Sequence, residues 1–215
     1  MSTEKKTVRS TVVDTWRWMR PDLLIRIVPM GIAPLLYISI FHLPLSFLGL
    51  VAGNVPQQIV LGISLGVVMC LFAMLYRIYI VGPGFRHPTP KDQLLQSFFY
   101  LCINAPVEEI FFRGLVLTVV TQWTGWLGWG WLASTAMYTL YHRLGRWSWR
   151  SIGGVGLAGI VFSLLYLWSP EPRSLLAVII VHGLTTSGFL SWGDEVLYQR
   201  WKRRHPPLTF PRVTQ

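Results

Sequence analysis

Six apolar runs divide the chain, at residues 23–41, 57–81, 94–120, 126–141, 152–168 and 175–192. Each is long enough, or nearly so, to cross a hydrocarbon core with about 20 helical residues. Short polar, often basic stretches separate them. Strict alternation of apolar and polar positions, the mark of a membrane barrel, is absent. In lipid every backbone N–H and C=O must bond internally, so apolar runs of this length predict helices. The expected fold is therefore all-α: a polytopic transmembrane helix bundle of about six spans. Tryptophans gather near the run ends, at Trp16, Trp18, Trp123, Trp126, Trp147, Trp149, Trp168 and Trp192. That placement suits an aromatic belt at the two membrane–water interfaces.

Composition narrows the class further. Of 215 residues, 52% are hydrophobic and 13% charged. Intrinsic disorder needs low hydrophobicity and is excluded. A soluble domain of this size is too small to hide so much apolar surface. The net charge is +10, from 19 Lys and Arg against 9 Asp and Glu. In a membrane protein such a surplus belongs to cytoplasmic loops facing anionic lipid, so no nucleic-acid partner is expected. The basic residues alternate between sides. Lys5, Lys6, Arg9, Arg17 and Arg20 precede the first run, and Arg77, Arg86 and Lys91 surround the second loop. Arg143, Arg146 and Arg150 fill the fourth, whereas the first and third loops have none and the fifth has Arg173 beside Glu171. Arg200, Lys202, Arg203, Arg204 and Arg212 lie in the tail. This alternation predicts both termini in the cytoplasm. Cys70 and Cys102 fall in apolar runs and are expected as packed thiols. No short apolar stretch with a small-residue cleavage site follows the first lysines, so no removable signal peptide is expected.

The informative residues are the polar ones inside apolar runs. A charge at mid-bilayer costs about 2.5–3.5 kcal/mol on insertion scales, and such groups are usually functional. The third run contains Ala105-Pro106-Val107-Glu108-Glu109-Ile110-Phe111-Phe112-Arg113-Gly114. Glu109 and Arg113 are four apart and share a helix face, so they can pair. Glu108 points about 100° away and has no local partner. A desolvated carboxyl of this kind suits general acid–base chemistry. Asn104 is four residues before Glu108, and Pro106 removes a backbone donor nearby. His142 closes the fourth run, near the cytoplasmic face by the charge map. His182 lies inside the sixth run, ahead of Gly183. His42, His87 and His205 fall in loops or at interfaces and are read as solvated.

Glu-Glu-x-x-x-Arg in one span, an aromatic-x-x-x-His segment at Tyr138–His142, and a second His in a later span form an ordered set. The set resembles the CAAX protease and bacteriocin-processing family, the CPBP family of intramembrane endopeptidases. The resemblance covers roughly residues 96–190. It implies an organisation in three parts: a basic N-terminal segment with two accessory spans (1–92), a CPBP-like catalytic helix bundle (93–193) and a basic cytoplasmic tail (194–215). It also implies site residues. Glu108 and Glu109 match the family's acidic pair, Arg113 its arginine, and His142 and His182 its two histidines. Tyr138 stands where the family more often has Phe. Thr186 stands where the family usually has Asn or Asp, and offers one hydroxyl in place of two amide donors. Asn104 is a candidate stand-in.

By the same resemblance Glu108, assisted by His142, deprotonates a water that attacks a peptide carbonyl. His182, with Thr186 or Asn104, stabilises the oxyanion, and Arg113 holds Glu109. The family has been argued to be both a glutamate protease and a metalloprotease. Glu108, His142 and His182 are also chemically suitable zinc ligands. No His-Glu-x-x-His is present, so the metal-free mechanism is favoured and no cofactor is expected, with zinc as the alternative. Two other classes stay open: a membrane carrier using Glu108, Glu109 and Arg113 as a polar relay, and a haem protein using His142 and His182. A catalytically dead adaptor is a further alternative, given Thr186. The implied partner is a membrane-anchored protein or peptide cleaved near its C-terminus or anchor. The implied location is a bacterial inner membrane with anionic lipid on its cytoplasmic face. Neither substrate identity nor oligomeric state is legible.

Overall fold

The computed structural model describes residues 12–82, 89–145, 147–170 and 172–204. The expectations placed on Lys5, Lys6, Arg9, Arg86, His87, Arg146, Glu171, His205 and Arg212 lie outside the described residues, as does the side chain of Trp18. Six helices follow the six apolar runs: α1 (Val12–Ile40), α2 (Val55–Val81), α3 (residues 90–124), α4 (Leu127–Tyr141), α5 (Trp149–Trp168) and α6 (Leu176–Arg204). A 3₁₀ turn, Leu45–Leu48, sits between α1 and α2. No strand occurs among the described residues.

Helix ends follow local chemistry. Asn54 caps α2 by accepting from the Gln57 N–H at 3.2 Å, with Pro56 in the first turn. Thr89 and Asp92 form a reciprocal capping box at the start of α3. Gly125, at φ +69°, ends α3 in the left-handed conformation that glycine adopts without penalty. Ser148 accepts from the Ser151 N–H at 3.2 Å to open α5.

Four helices, α1, α2, α5 and α6, are long and apolar enough to cross a membrane. The expected count of six is met only in part, for two physical reasons. α3 carries Glu108, Glu109 and Arg113 close together, which lowers its hydropathy. α4 has 15 helical residues, about 22 Å at 1.5 Å per residue, short of a hydrocarbon core. Apolar side chains nonetheless cover the outside of the bundle, among them Ile25, Leu36, Val60, Val68 and Leu140. Trp123, Trp126, Trp149 and Trp168 are exposed at helix ends. An outer surface of this kind is that of an integral membrane protein. The two cysteines are free, as expected, but only Cys70 is partly packed, and Cys102 is exposed on the outer face of α3.

α2 packs most extensively against α6. Small residues allow this closeness, as in other membrane helix pairs. At Gly188 an added Cβ would lie 2.5 Å from the Cys70 carbonyl oxygen, and at Gly62 2.9 Å from Ile180. The core between α3, α4, α5 and α6 is built from Phe112, Tyr138, Phe162, Val178 and Val181. Gly188→Ala is expected to lower stability by about 1–3 kcal/mol, since the clash is with backbone. Gly31→Ala, where a Cβ meets only the Val107 methyls at 3.7 Å, is expected to be neutral or stabilising. Unfolding of both variants in detergent micelles checks the pair.

Candidate active site

The acidic pair sits on a short α-helical stretch, Ala105–Glu109, between two widened π-helical turns, Tyr100–Asn104 and Ile110–Leu117. Pro106 lies just after the first of them, where the wider turn accommodates its missing N–H. π-turns change the phase of a helix and are frequent at functional sites. Glu108, Glu109 and Arg113 are all completely buried, and their charges find partners in two separate arrangements.

The first arrangement centres on Glu109. Arg113 Nη1 donates to Glu109 Oε1 at 3.0 Å, the four-residue pairing expected from helix geometry. Nη2 donates to the Gly159 carbonyl (2.9 Å) and Nε to Ser163 Oγ (3.3 Å), both on α5. The guanidinium plane lies over the Tyr138 ring, 4.5 Å from the centroid. Gly159 admits this approach, because a Cβ there would stand 2.8 Å from Tyr138. His182 Nδ1–H donates to the same Glu109 oxygen at 2.6 Å. Phe162 stacks on the His182 ring at 4.7 Å, so the imidazole is held in plane. The Tyr138 hydroxyl, absent where the family has Phe, reaches His182 Nε2 at 3.3 Å.

The second arrangement centres on Glu108. Its partner is Arg26, from the first helix, which ion-pairs with Glu108 Oε1. Arg26 also donates to Asn104 Oδ1 at 2.9 Å and grips both oxygens of Asp22, at 2.7 and 2.8 Å. Sequence reasoning found Asn104 and missed Arg26 and Asp22. The available signal was an arginine inside the first apolar run, in the π-turn Leu23–Ile27. Glu108 Oε2 is buried and receives no hydrogen bond among the described residues. It faces His182 Nε2 at 3.6 Å.

A cavity adjoins Arg26, Asn104, Tyr138 and His182. Arg26, Asn104, Tyr138, His142, His182, Thr185 and Thr186 form its polar wall, and Phe72, Tyr76, Trp147 and Phe189 are among its aromatic residues. His142 Nδ1–H donates to the Tyr138 carbonyl at 2.8 Å. A carbonyl only accepts, so in the neutral ring the lone pair is at Nε2. Thr186 is half-buried on the cavity wall, while its neighbour Thr185 turns its hydroxyl to the Val181 carbonyl at 2.6 Å. Glu108, Glu109, Arg113, His182 and Asn104 are thus brought together, with His142 and Thr186 on the same cavity. His42 is exposed and apart. Among the described residues no group of three or more His, Cys, Asp and Glu side chains is arranged to hold a metal ion. Arg26 takes one oxygen of Glu108 and Glu109 takes His182 Nδ1, so Glu108 Oε2, His142 Nε2 and His182 Nε2 are the atoms that would hold a zinc ion if one were bound.

Residues 90–187 match the family model for type II CAAX prenyl endopeptidase, Rce1-like. This region is similar to the Rce1-like family. The resemblance to CPBP endopeptidases read from the two acids, the arginine and the two histidines therefore holds over that stretch. The Rce1-like region is a little under half of the chain and contains every expected site residue, while Arg26 and Asp22 lie before it. No curated protein and no solved structure matches the chain significantly. The match suggests a CAAX-type intramembrane protease, a peptide hydrolase.

Arg113 is the structural cation of this site. Arg113→Met is expected to destabilise the protein by about 3 kcal/mol, because it strands a buried carboxylate. Adding Glu109→Gln is expected to recover part of that loss. Denaturant unfolding of the two variants in detergent checks both.

Proposed function

We propose that the protein is an intramembrane endopeptidase that hydrolyses a peptide bond near the C-terminus or membrane anchor of its substrate, by a metal-free glutamate mechanism. The observation that carries the reading is the position of Glu108, whose open oxygen faces His182, a residue of the cavity wall. Glu109 is fully engaged at one oxygen by Arg113 and His182. Each acid keeps one oxygen without a hydrogen bond among the described residues, and that of Glu108 lies 3.6 Å from His182 Nε2. A carboxylate with one oxygen held and one open suits a general base.

Glu108 Oε2 takes a proton from a water whose second contact is the lone pair of His142 Nε2. The water oxygen bonds to the peptide carbonyl carbon, and the carbonyl π pair moves onto oxygen. Collapse of this intermediate breaks the C–N bond, and the leaving nitrogen takes the proton back from Glu108. His182 Nε2 supports the oxyanion, with Thr186 on the same wall. Glu109 and Arg113 orient His182 and touch no substrate. The apolar, aromatic part of the cavity favours a hydrophobic peptide or a lipid-modified one. We further propose six spans, both termini and the cavity mouth on the cytoplasmic side, and a bacterial inner-membrane location. The alternation of basic loops supports this placement.

The test is cleavage of a pool of membrane-anchored C-terminal peptides by purified protein in detergent. Glu108→Gln is expected to lower kcat by about 10²–10⁴-fold, and EDTA and o-phenanthroline are expected to leave the wild type unaffected. Full activity in Glu108→Gln would sink the assignment. Activity lost to chelator and restored by zinc would move these residues into a metal site.

A further inference from the structure

Oxyanion chemistry needs donors already aimed at the reacting carbonyl. The cavity is poorly supplied with them. His182 Nδ1–H is committed to Glu109, so His182 has no more than one donor, at Nε2, to offer the cavity. Thr186 carries one hydroxyl where an amide would bring two N–H groups. His142 Nδ1–H is committed to the Tyr138 carbonyl.

Arg26 is different. Its guanidinium lines the cavity and carries five N–H donors. Nε and Nη2 spend theirs on Asp22 at 2.7 and 2.8 Å and on Asn104 at 2.9 Å. Nη1 spends one on Glu108. Among the described residues the second Nη1–H has no acceptor. The two-point grip of Asp22 fixes the plane of the fork, so this remaining N–H is aimed as well as charged.

We propose that Arg26 is a catalytic residue supplied by the first helix, from outside the Rce1-like region: its free Nη1–H donates to the oxyanion that forms beside Glu108. The proposal rests on the protease reading above. In the step concerned, the π pair of the scissile carbonyl moves to oxygen as the water oxygen bonds to carbon, and the new negative charge meets the guanidinium. No proton leaves Arg26. Asp22 acts through Arg26 and is a positioning residue. Thr186 then need not match an amide, because the missing donor comes from α1.

The experiment uses the peptide that the wild type cleaves, the full-length protein in detergent, and four variants. Arg26→Ala is expected to lower kcat by about 10²-fold or more with KM nearly unchanged, the signature of a donor used only in the transition state. Millimolar guanidinium is expected to restore activity to Arg26→Ala, and so is the second-site change Thr186→Asn, at least tenfold each by the same reasoning. Arg26→Lys keeps the charge but not the fork and is expected to fall between Arg26→Ala and wild type. Thermal melts accompany each variant. A well-folded Arg26→Ala with wild-type kcat overturns the proposal and leaves the protease reading in place. So does a loss that follows the melt and is rescued by neither guanidinium nor Thr186→Asn, since that is a structural role. Retained cleavage in Glu108→Gln, run alongside, overturns the protease reading itself and this proposal with it.

Discussion

Two carboxylates buried side by side within apolar helices are the constraint on which the architecture turns. Both are fully buried, and an isolated buried charge is strongly unfavourable, so each needs its own cation and hydrogen bonds. Glu109 finds Arg113 one helical turn away and His182 on α6. Glu108 finds Arg26 on α1. These contacts join α1, α3 and α6, and Arg113 extends the network to α5 through Ser163 and the Gly159 carbonyl. A buried ion pair is weak evidence for net stability. Its value here is specificity of assembly: helices that slide by one turn leave a carboxylate without its partner.

The same constraint accounts for the departures from regular helix. π-helical turns carry Arg26, Asn104 and Arg113, and the acidic pair lies between two of them. A straight α3 could satisfy Glu109 from its own next turn, but Glu108 requires a partner from another helix. Widened turns set that phase. Close helix approach then depends on small residues, with Gly159 under Tyr138 at the site and Gly188 against α2 at the frame. The first helix is anchored a second time, where Thr15 donates to the buried Asp92 at 2.9 Å. Arg26 is therefore presented by an element fixed at both ends of its contact with α3.

Much of this was legible in the sequence. The six apolar runs coincide with six helices because lipid leaves the backbone no other way to satisfy itself. The Glu109–Arg113 pair followed from four-residue spacing, and the histidines from their order after it. The number of helices able to span did not follow, since α3 is interrupted by the very charges that make it interesting and α4 is short. Arg26 was not legible as a site residue. Its partner lies 82 positions away, and no periodicity links the two. Helix spacing could say only that Glu108 lacked a local partner. An arginine within the first apolar run was the complementary signal: an unpaired buried acid in one span and an unpaired cation in another are each half of a contact. The exposure of Cys102 also lay beyond the pattern, because an apolar run does not reveal which of its residues face lipid.

The central claim is that α1 supplies the counter-charge of Glu108. A double-mutant cycle on unfolding free energy in detergent tests it, with Arg26→Gln, Glu108→Gln and the two combined. The account predicts a coupling of about 1–3 kcal/mol, with the double variant more stable than the sum of the single losses implies. Losses that add to within about 0.5 kcal/mol would mean that the two side chains do not interact, and would contradict it.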